Sequence, residues 1–467
     1  MFFHCKHKTM KLTINKLIYG IGLLIVSFCS CSKYLDKKPL KSQVVPSSLT
    51  DLQAILDNNA RTTRGETPAL IEALADNYYI TTANWQSIMS GPLDVQQEAL
   101  DYIWDGSPTT TTSLTDWQSP YTNPVYYSNV VLDVLPTIPA TDSASNILWN
   151  TVKGSALFYR AFAFERLAQV YCRPYSPSAA KDLGIVLKLS GSVTDAVSRS
   201  TVQQTYDQVI NDLKMAADLL PITSIASTRP TKAAAYGVLA RTYLEMRDYV
   251  NAGKYADLCL QQNSSLMDYN TQSGRFQRFN IETIYYSYPF IGDLVRSTAI
   301  VDSALYNSYD SNDLRKTLFF RSNGNGTYKF YGSYLGSPYY PFDGITTDEM
   351  YLIRAECYAR AGNLNTAMND LNTLMVKRWK NNGTWVPFTA TDANDAKNKI
   401  LTERRKELLY RCLRWPDIRR LNLEGANITL TRVINNITYS LPPNDSRSVM
   451  LIPQAEINLS GIAQNPR

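Results

Sequence analysis

Two carboxylate settings in this sequence of 467 residues have the spacing for acid/base chemistry. In "NKILTERRKELLYRCLRWPDIRRL" (398–421), Glu403, Glu407 and Arg411 recur every four residues, so a helix would carry all three on one face. Asp343 and Asp348 flank the end of a tyrosine-rich stretch. A pair of carboxylates is what glycoside hydrolysis requires, and it needs no histidine. The same spacing on a helix also serves ion pairs, and no acid here stands in a recognisable catalytic setting, so the structural reading is favoured. Both histidines, His4 and His7, lie in the first ten residues. A chain that loses this segment has no imidazole for a Ser-His-Asp or Cys-His arrangement, and it lacks the commonest transition-metal ligand.

Aromatic side chains offer a different chemistry. Flat rings bordered by Asn, Asp or Arg suit the C–H faces and hydroxyl rims of sugars. From Phe276 to Phe342, 17 of 67 residues are Phe or Tyr, and "YYSYPF" and "KFYGSYLGSPYYPF" are the densest parts. Tyr286 and Tyr331 are the candidates there. Alternation such as Tyr286 with Tyr288 also suits β-hairpins packed on helices. A second region, "DNYYITTANWQS" with "YIWDGSPT", supplies Trp85 and Trp104 as stacking candidates and Asn77, Asn84 and Asp105 as bordering polar groups. Trp104 is equally suited to a buried place, and Trp117 reads as helix core.

Helical repeats must position these residues. "YGVLARTYLEMRDYVNAGKYADLC" (236–259) superposes without a gap on "YLIRAECYARAGNLNTAMNDLNTL" (351–374). Tyr236 matches Tyr351, Ala240 matches Ala355, Tyr243 matches Tyr358, Ala252 matches Ala367 and Ala256 matches Leu371, which is the tetratricopeptide pattern. Small residues let antiparallel helices approach, and aromatics fill the groove between them. "ALFYRAFAFERLAQVY" (156–171) reads as another first helix, and its partner is delayed to Ser200–Pro221, where Thr201 and Gln204 form a capping box. Residues 172–199 would be a loop decorating the array. The 398–421 segment reads as one further helix. The expected class is mainly α: a tetratricopeptide-like helical-repeat array with long loop and small β-hairpin insertions.

The N-terminus reads as an export signal. Lys11 and Lys16 precede an apolar run of 12 residues, Leu17 to Phe28, whereas a membrane-spanning helix needs about 20. Ser30 then places Cys31 where the bacterial lipobox has its acylated cysteine; an ordinary secreted protein with an incidental cysteine is the plainer alternative. Without residues 1–30, four of the 47 basic residues leave and no acid does, so 43 remain against 41 acidic ones. A near-neutral chain without basic runs has no footprint for nucleic acid. Cys172, Cys259, Cys357 and Cys412 are far apart and form no C-x-x-C, so neither a disulfide framework, a metal site nor a cofactor is expected.

Taken in order, "CSKYLDKKP", "YRAFAFERLAQVY", "STVQQTYDQVINDLKMAADLLP", "RPTKAAAYGVLARTYLEMRDYVNAGKYADLCL", "RAECYARAGNLNTAMNDLN", "KILTERRKELLY", "LRWPDIRRLN" and "LIPQAEINLSGIAQNPR" resemble the SusD/RagB family of outer-membrane nutrient-binding lipoproteins. The resemblance implies a signal peptide over 1–30 and a single SusD-like domain over 31–467. Within that domain the repeats fall at about 150–260 and 348–421, and the aromatic-rich insertion at about 262–347. It further implies an outer-membrane protein held outside the cell by lipid on Cys31. Such a protein captures an oligosaccharide or other nutrient for a SusC-like TonB-dependent transporter and performs no bond chemistry. A lipid-anchored glycoside hydrolase is the alternative. The chain departs from the family pattern at Tyr410, Arg411 and Cys412, where members carry Phe-Glu-Gly, so the ion pairs around Arg414 and Asp417 must be rearranged.

Overall fold

The computed structural model describes residues 46–62, 67–105, 115–289, 297–337 and 340–467. Cys31 and the export signal lie outside these residues. Ser48–Arg467 form one compact unit.

The first stretch supplies helices α1 (Leu49–Leu56), α2 (Leu70–Ala73), α3 (Thr82–Met89), α4 (Leu93–Tyr102) and α5 (Tyr126–Val134), with strand β1 (Tyr78–Tyr79) between α2 and α3. Helix α6 (Ser143–Tyr171) then runs 29 residues from a capping box of Asp142 and Ser145. It starts earlier than the expected Ala156, because the Asp142 cap opens it and the lead-in "SASNILWNTVK" is largely exposed, with Val152 buried and Leu148 and Trp149 packed on the core. From Gly154 onward every residue is buried, as a helix surrounded on all sides must be.

Strands β2 (Leu183–Val186) and β3 (Arg199–Thr201) pair antiparallel before α7 (Val202–Leu219). Thr201 and Gln204 make the expected capping box, and the helix stops ahead of Pro221. Helices α8 (Lys232–Glu245) and α9 (Tyr249–Gln262) are the first matched repeat, and α10 (Thr347–Arg360) and α11 (Leu364–Met375) are the second. Their turns agree in detail. Arg247 and Gly362, which correspond, have φ of 62° and 80°, and the N–H groups of Asp248 and Asn363 donate to the carbonyls of Tyr243 and Tyr358, both at 2.9 Å. Ala240, Ala252, Ala256, Ala355, Ala367 and Leu371 are fully buried, and Tyr243 stacks on Tyr255 at 5.5 Å. The molecule is a tetratricopeptide-like array.

Between the repeats, β4 (Thr283–Tyr285) pairs with β8 (Ile345–Thr346) and closes the aromatic insertion onto the array. A Cβ at Gly237 of α8 would lie 2.3 Å from Ile345 Cγ2, so only glycine allows this approach. Within the insertion, β5 (Ile300–Val301) pairs with β1, and β6 (Phe320–Ser322) with β7 (Tyr328–Phe330). Strands β9 (Leu430–Ile434) and β10 (Ile437–Leu441) form a C-terminal hairpin. The rings beneath the insertion, including Phe276, Phe319, Tyr334 and Phe342, make a hydrophobic cluster distinct from that of the array.

The helix expected over 398–421 is corrected to two, α12 (Ala393–Glu407) and α13 (Arg414–Asn422). Tyr410 and Cys412 adopt φ of 56° and 57°, which ends the helical path. Left-handed backbone costs about 1–2 kcal/mol per non-glycine residue. Tertiary contacts hold it: Tyr410 stacks on Phe330 at 4.6 Å, and the Cys412 N–H donates to Glu72 Oε2 at 3.0 Å. The four cysteines of the described residues are all free and buried.

Candidate functional site

The carboxylates with catalytic spacing are interior groups. Glu407 accepts from Arg315 Nη1 at 3.0 Å and from Arg378 Nε at 2.7 Å. Glu403 pairs with Arg315 and Lys406. Arg378 goes on to Glu282 at 2.8 Å, whose carboxyl burial pushes up to about 7. Arg411, expected on the same face, lies beyond the helix end. It sits 3.5 Å from Asp348 and covers the Tyr334 ring at 3.7 Å. Asp343 accepts from Thr67 Oγ1 and lies 3.4 Å from Arg166 and 3.7 Å from Arg241; burial pushes its carboxyl up to about 6. Asp343, Asp348 and Glu407 are 0% exposed, so no substrate bond reaches them. Arg414 pairs with Asp76 at 2.7 Å, and Asp417 lies between Arg404 and Arg420, both at 2.8 Å.

The aromatic insertion divides into core and surface. Phe276, Tyr285, Tyr286, Tyr309, Phe319, Phe320, Tyr334 and Phe342 are buried. Tyr286 is therefore a correction to the expected contact residues. It is 3% exposed, covered by Phe279 at 4.7 Å and by the Arg278 guanidinium at 4.5 Å, and burial pushes its hydroxyl up to about 12. Phe279 stands exposed beside it, and Tyr288 is half-buried. Tyr331 is half-buried. Arg275 Nε donates to its hydroxyl at 2.6 Å, and the guanidiniums of Arg321 and Arg275 stand 4.2 and 4.7 Å from its ring centre. Tyr306 and Tyr328 stack nearly parallel at 3.6 Å. These rings are the surface a flat apolar ligand face can meet.

The N-terminal candidates separate similarly. Trp85 on α3 is half-buried, its Nε1 donating to the Ala99 carbonyl at 3.0 Å. Asn84 keeps a half-exposed side chain while its N–H is capped by Thr81. Asp105, also half-exposed, lies three residues past the end of α4. Trp104 is corrected to a core residue: it is 1% exposed, donates to the Leu74 carbonyl at 3.3 Å and lies under Arg432 at 5.0 Å. Asn77 is buried as well, donating to Glu72 Oε1 at 2.8 Å. Trp117 is core, edge-on to Tyr171 at 4.9 Å. Trp85 packs against the same hydrophobic cluster as Tyr306, Tyr328 and Phe330, yet no hydrogen bond or ring contact among the described residues joins it to Tyr331.

Three features escaped the sequence. Arg275 and Arg321 meet Tyr331 from 56 and 10 residues away in the chain; the Asn-Gly pairs in "RSNGNGTYKF" were the available hairpin signal for the second. Trp379, Trp385 and Phe388 cluster on the loop after α11, with ring centres 5.6 and 5.9 Å apart. The 172–199 loop forms, with α7, an open cleft of about 770 Å³ lined by Lys188, Asp195, Gln204, Gln208 and Asn211. Among the described residues no cluster of His, Cys, Asp or Glu is placed to hold a metal, and no helix is long and apolar enough to cross a membrane.

An array of tetratricopeptide-like helical hairpins that carries a ring-rich insertion with small antiparallel strand pairs defines the class of fold. Two family models match this chain: one described as starch-binding associating with outer membrane, over residues 33–244, and the SusD family model, over 347–467. The chain belongs to the SusD/RagB family. SusD-like protein P2 of Formosa agariphila is 23% identical over 339 residues, covering 59% of this chain and 66% of that relative, just under two thirds of its length. A SusD superfamily protein from Bacteroides thetaiotaomicron has a TM-score of 0.73 at 22% identity, covering 90% of this chain and all of its own. A putative sugar binding protein from Bacteroides vulgatus reaches 0.69 at 18%, covering 91% and 99%. A laminarin binding SusD-like protein reaches 0.63 at 16%, covering 89% and 97%. At these identities the structural likeness speaks for the fold.

Proposed function

We propose that this protein captures a glycan at the ring surface of its insertion and delivers it, unaltered, to a SusC-like TonB-dependent transporter. The observation that carries this reading is the presentation of half-buried rings at Tyr331, Tyr306 and Tyr328, steadied by side chains from other segments, on a fold whose relatives include proteins named for sugar and laminarin binding. Trp85 and Asn84, with Asp105 three residues past α4, are the N-terminal contributors to the same task. Burial of Asp343, Asp348, Glu403 and Glu407 among arginines supports binding without bond cleavage, against the glycoside hydrolase alternative.

Cys31 carries the lipid in this reading and holds the protein on the outer face of the outer membrane. Several acyl chains give a stable anchor where one gives only marginal binding. Tethering beside the pore raises the local concentration of ligand, so modest affinity suffices. Isothermal titration with an oligosaccharide panel that includes laminarin fragments tests capture; heat with at least one member and no release of reducing sugar is expected. Silence across the panel, or sugar release, would overturn the reading. Labelling with palmitate tests the anchor: wild type takes up label and Cys31→Ala does not.

A further inference from the structure

Most of the buried arginines among the described residues meet carboxylates. Arg160, Arg166, Arg241, Arg315, Arg354, Arg378, Arg414 and Arg420 each pair with at least one. At the surface of the insertion a group of basic side chains lacks such partners. Among the described residues, Arg275, Arg278, Lys316, Arg321 and Lys329 form no ion pair. The described acids of the same segment are engaged elsewhere. Glu282 pairs with Arg378 and Asp313 with Arg315, while Asp302 accepts from the Leu305 N–H and Asp310 from the Asn312 N–H.

Three of these cations share one face. In the β6–β7 hairpin, Arg321 lies directly across from Lys329, and Phe320 across from Phe330. Side chains alternate between the faces of a strand, so Phe320 and Phe330 turn one way and Arg321 and Lys329 the other. Phe320 is buried, and Phe330 stacks on Tyr410. The opposite face therefore carries Arg321 and Lys329, and Tyr331, two residues past Lys329, adds its ring there. Arg275 reaches this ring from a separate segment. Like charges directly across two strands repel and cost stability. Two backbone carbonyls, of Thr317 and Phe320, accept from Arg321 Nη1 at 2.7 and 2.8 Å and, with the Tyr331 ring, hold its guanidinium in place ahead of any ligand, while no carboxylate among the described residues pairs with Arg321 or Lys329.

We infer that this face binds the anionic groups of an acidic oligosaccharide, carboxylate or sulfate, with Arg275, Arg321 and Lys329 as the cations and Tyr331 as the stacking ring. The inference rests on the proposed glycan capture and names its substrate class. Guanidinium groups present paired N–H donors that match carboxylate or sulfate oxygens, and the ammonium adds a point charge. A sugar ring between two such anions can lie on Tyr331. The polymer is thus one with charge on recurring units, and its recognition weakens with salt because the site is open to solvent.

The test titrates the full chain at low and high salt with three oligosaccharides of equal length: an oligogalacturonate, a sulfated galactan fragment and an uncharged galactan fragment. Anionic phosphatidylglycerol vesicles form a fourth arm. One or both charged sugars should bind about tenfold or more tighter than the uncharged one, and lose that advantage at high salt. Arg275→Gln with Arg321→Gln should remove it too. Lys329→Glu separates recognition from folding: it replaces a repelling cross-strand pair with an attracting one, so it should melt no lower than wild type while binding the charged sugar at least tenfold more weakly. Equal binding of charged and uncharged sugars, unaffected by these changes, overturns the inference and leaves glycan capture standing. No binding of any sugar overturns both. Arginine-dependent binding to vesicles with none to sugars overturns the inference in favour of a membrane surface.

Discussion

The helical array and the aromatic insertion use the same residue types to opposite ends. In the array, arginines are interior cross-links: Arg378 alone ties the Met267 carbonyl, Glu282 and Glu407 together across segments more than a hundred residues apart. On the outer face of the insertion, Arg275 and Arg321 lie on the Tyr331 ring and meet no acid among the described residues, whereas Arg315 of the same segment is buried and paired. A buried charge must be paired, whereas a surface charge without a partner costs the fold little and remains available to something outside. Exposure and partner, more than residue type, separate the frame from the reader.

Substitutions should grade along this divide. Arg378→Met removes the cation that pairs with Glu282 and one of the two that pair with Glu407 in the interior, and should cost about 3–5 kcal/mol, read as a large drop in the urea midpoint. Gly237→Ala forces a methyl against Ile345 where the insertion closes on α8. It should cost about 1–3 kcal/mol by the same measurement, with its largest effect on hydrogen exchange of β4 and β8.

Acidity gives a third contrast, of roughly 2–4 kcal/mol per group. Burial pushes Glu72 and Glu282 up to about 7, above the ~4.3 of a free glutamate. The folded chain then holds protons that the unfolded chain releases, so the stabilisation is complete below about pH 4.3 and gone above about pH 7. Asp76 behaves oppositely: burial pushes it up, but Arg414 and Arg405 overcome this and hold it at about 2, so its contribution fails only in strong acid. The melting temperature should therefore fall between pH 5 and pH 8, and Glu72→Gln should flatten part of that slope. The smallest stability effect belongs to the surface: Tyr331→Ala should change unfolding by about 0.5 kcal/mol or less, yet abolish most sugar binding in titration. A Tyr331→Ala protein that unfolds far more easily, or binds undiminished, would erase the distinction between the two regions.

What the sequence disclosed follows local rules. The superposed repeats, the Thr201–Gln204 capping box and the stop at Pro221 are set by neighbours within a few turns, so periodicity and end signals reveal them. The break between α12 and α13 is set by Phe330 and Glu72, far along the chain, and the helical pattern of 398–421 runs straight through it. Trp104 and Trp85 look alike in sequence, and only the approach of Arg432 and the Leu74 carbonyl decides that the first is core. Tyr331 was legible as an aromatic in a rich segment. Its two arginines were not, because a hairpin and a loop bring them together.

The rings under the insertion form their own hydrophobic cluster, and the array forms another. Substitutions on the outer loops therefore leave the helical scaffold's interior contacts intact. The ring surface can change its shape and charge without disturbing the frame beneath, provided that Gly237 and the β4–β8 closure persist.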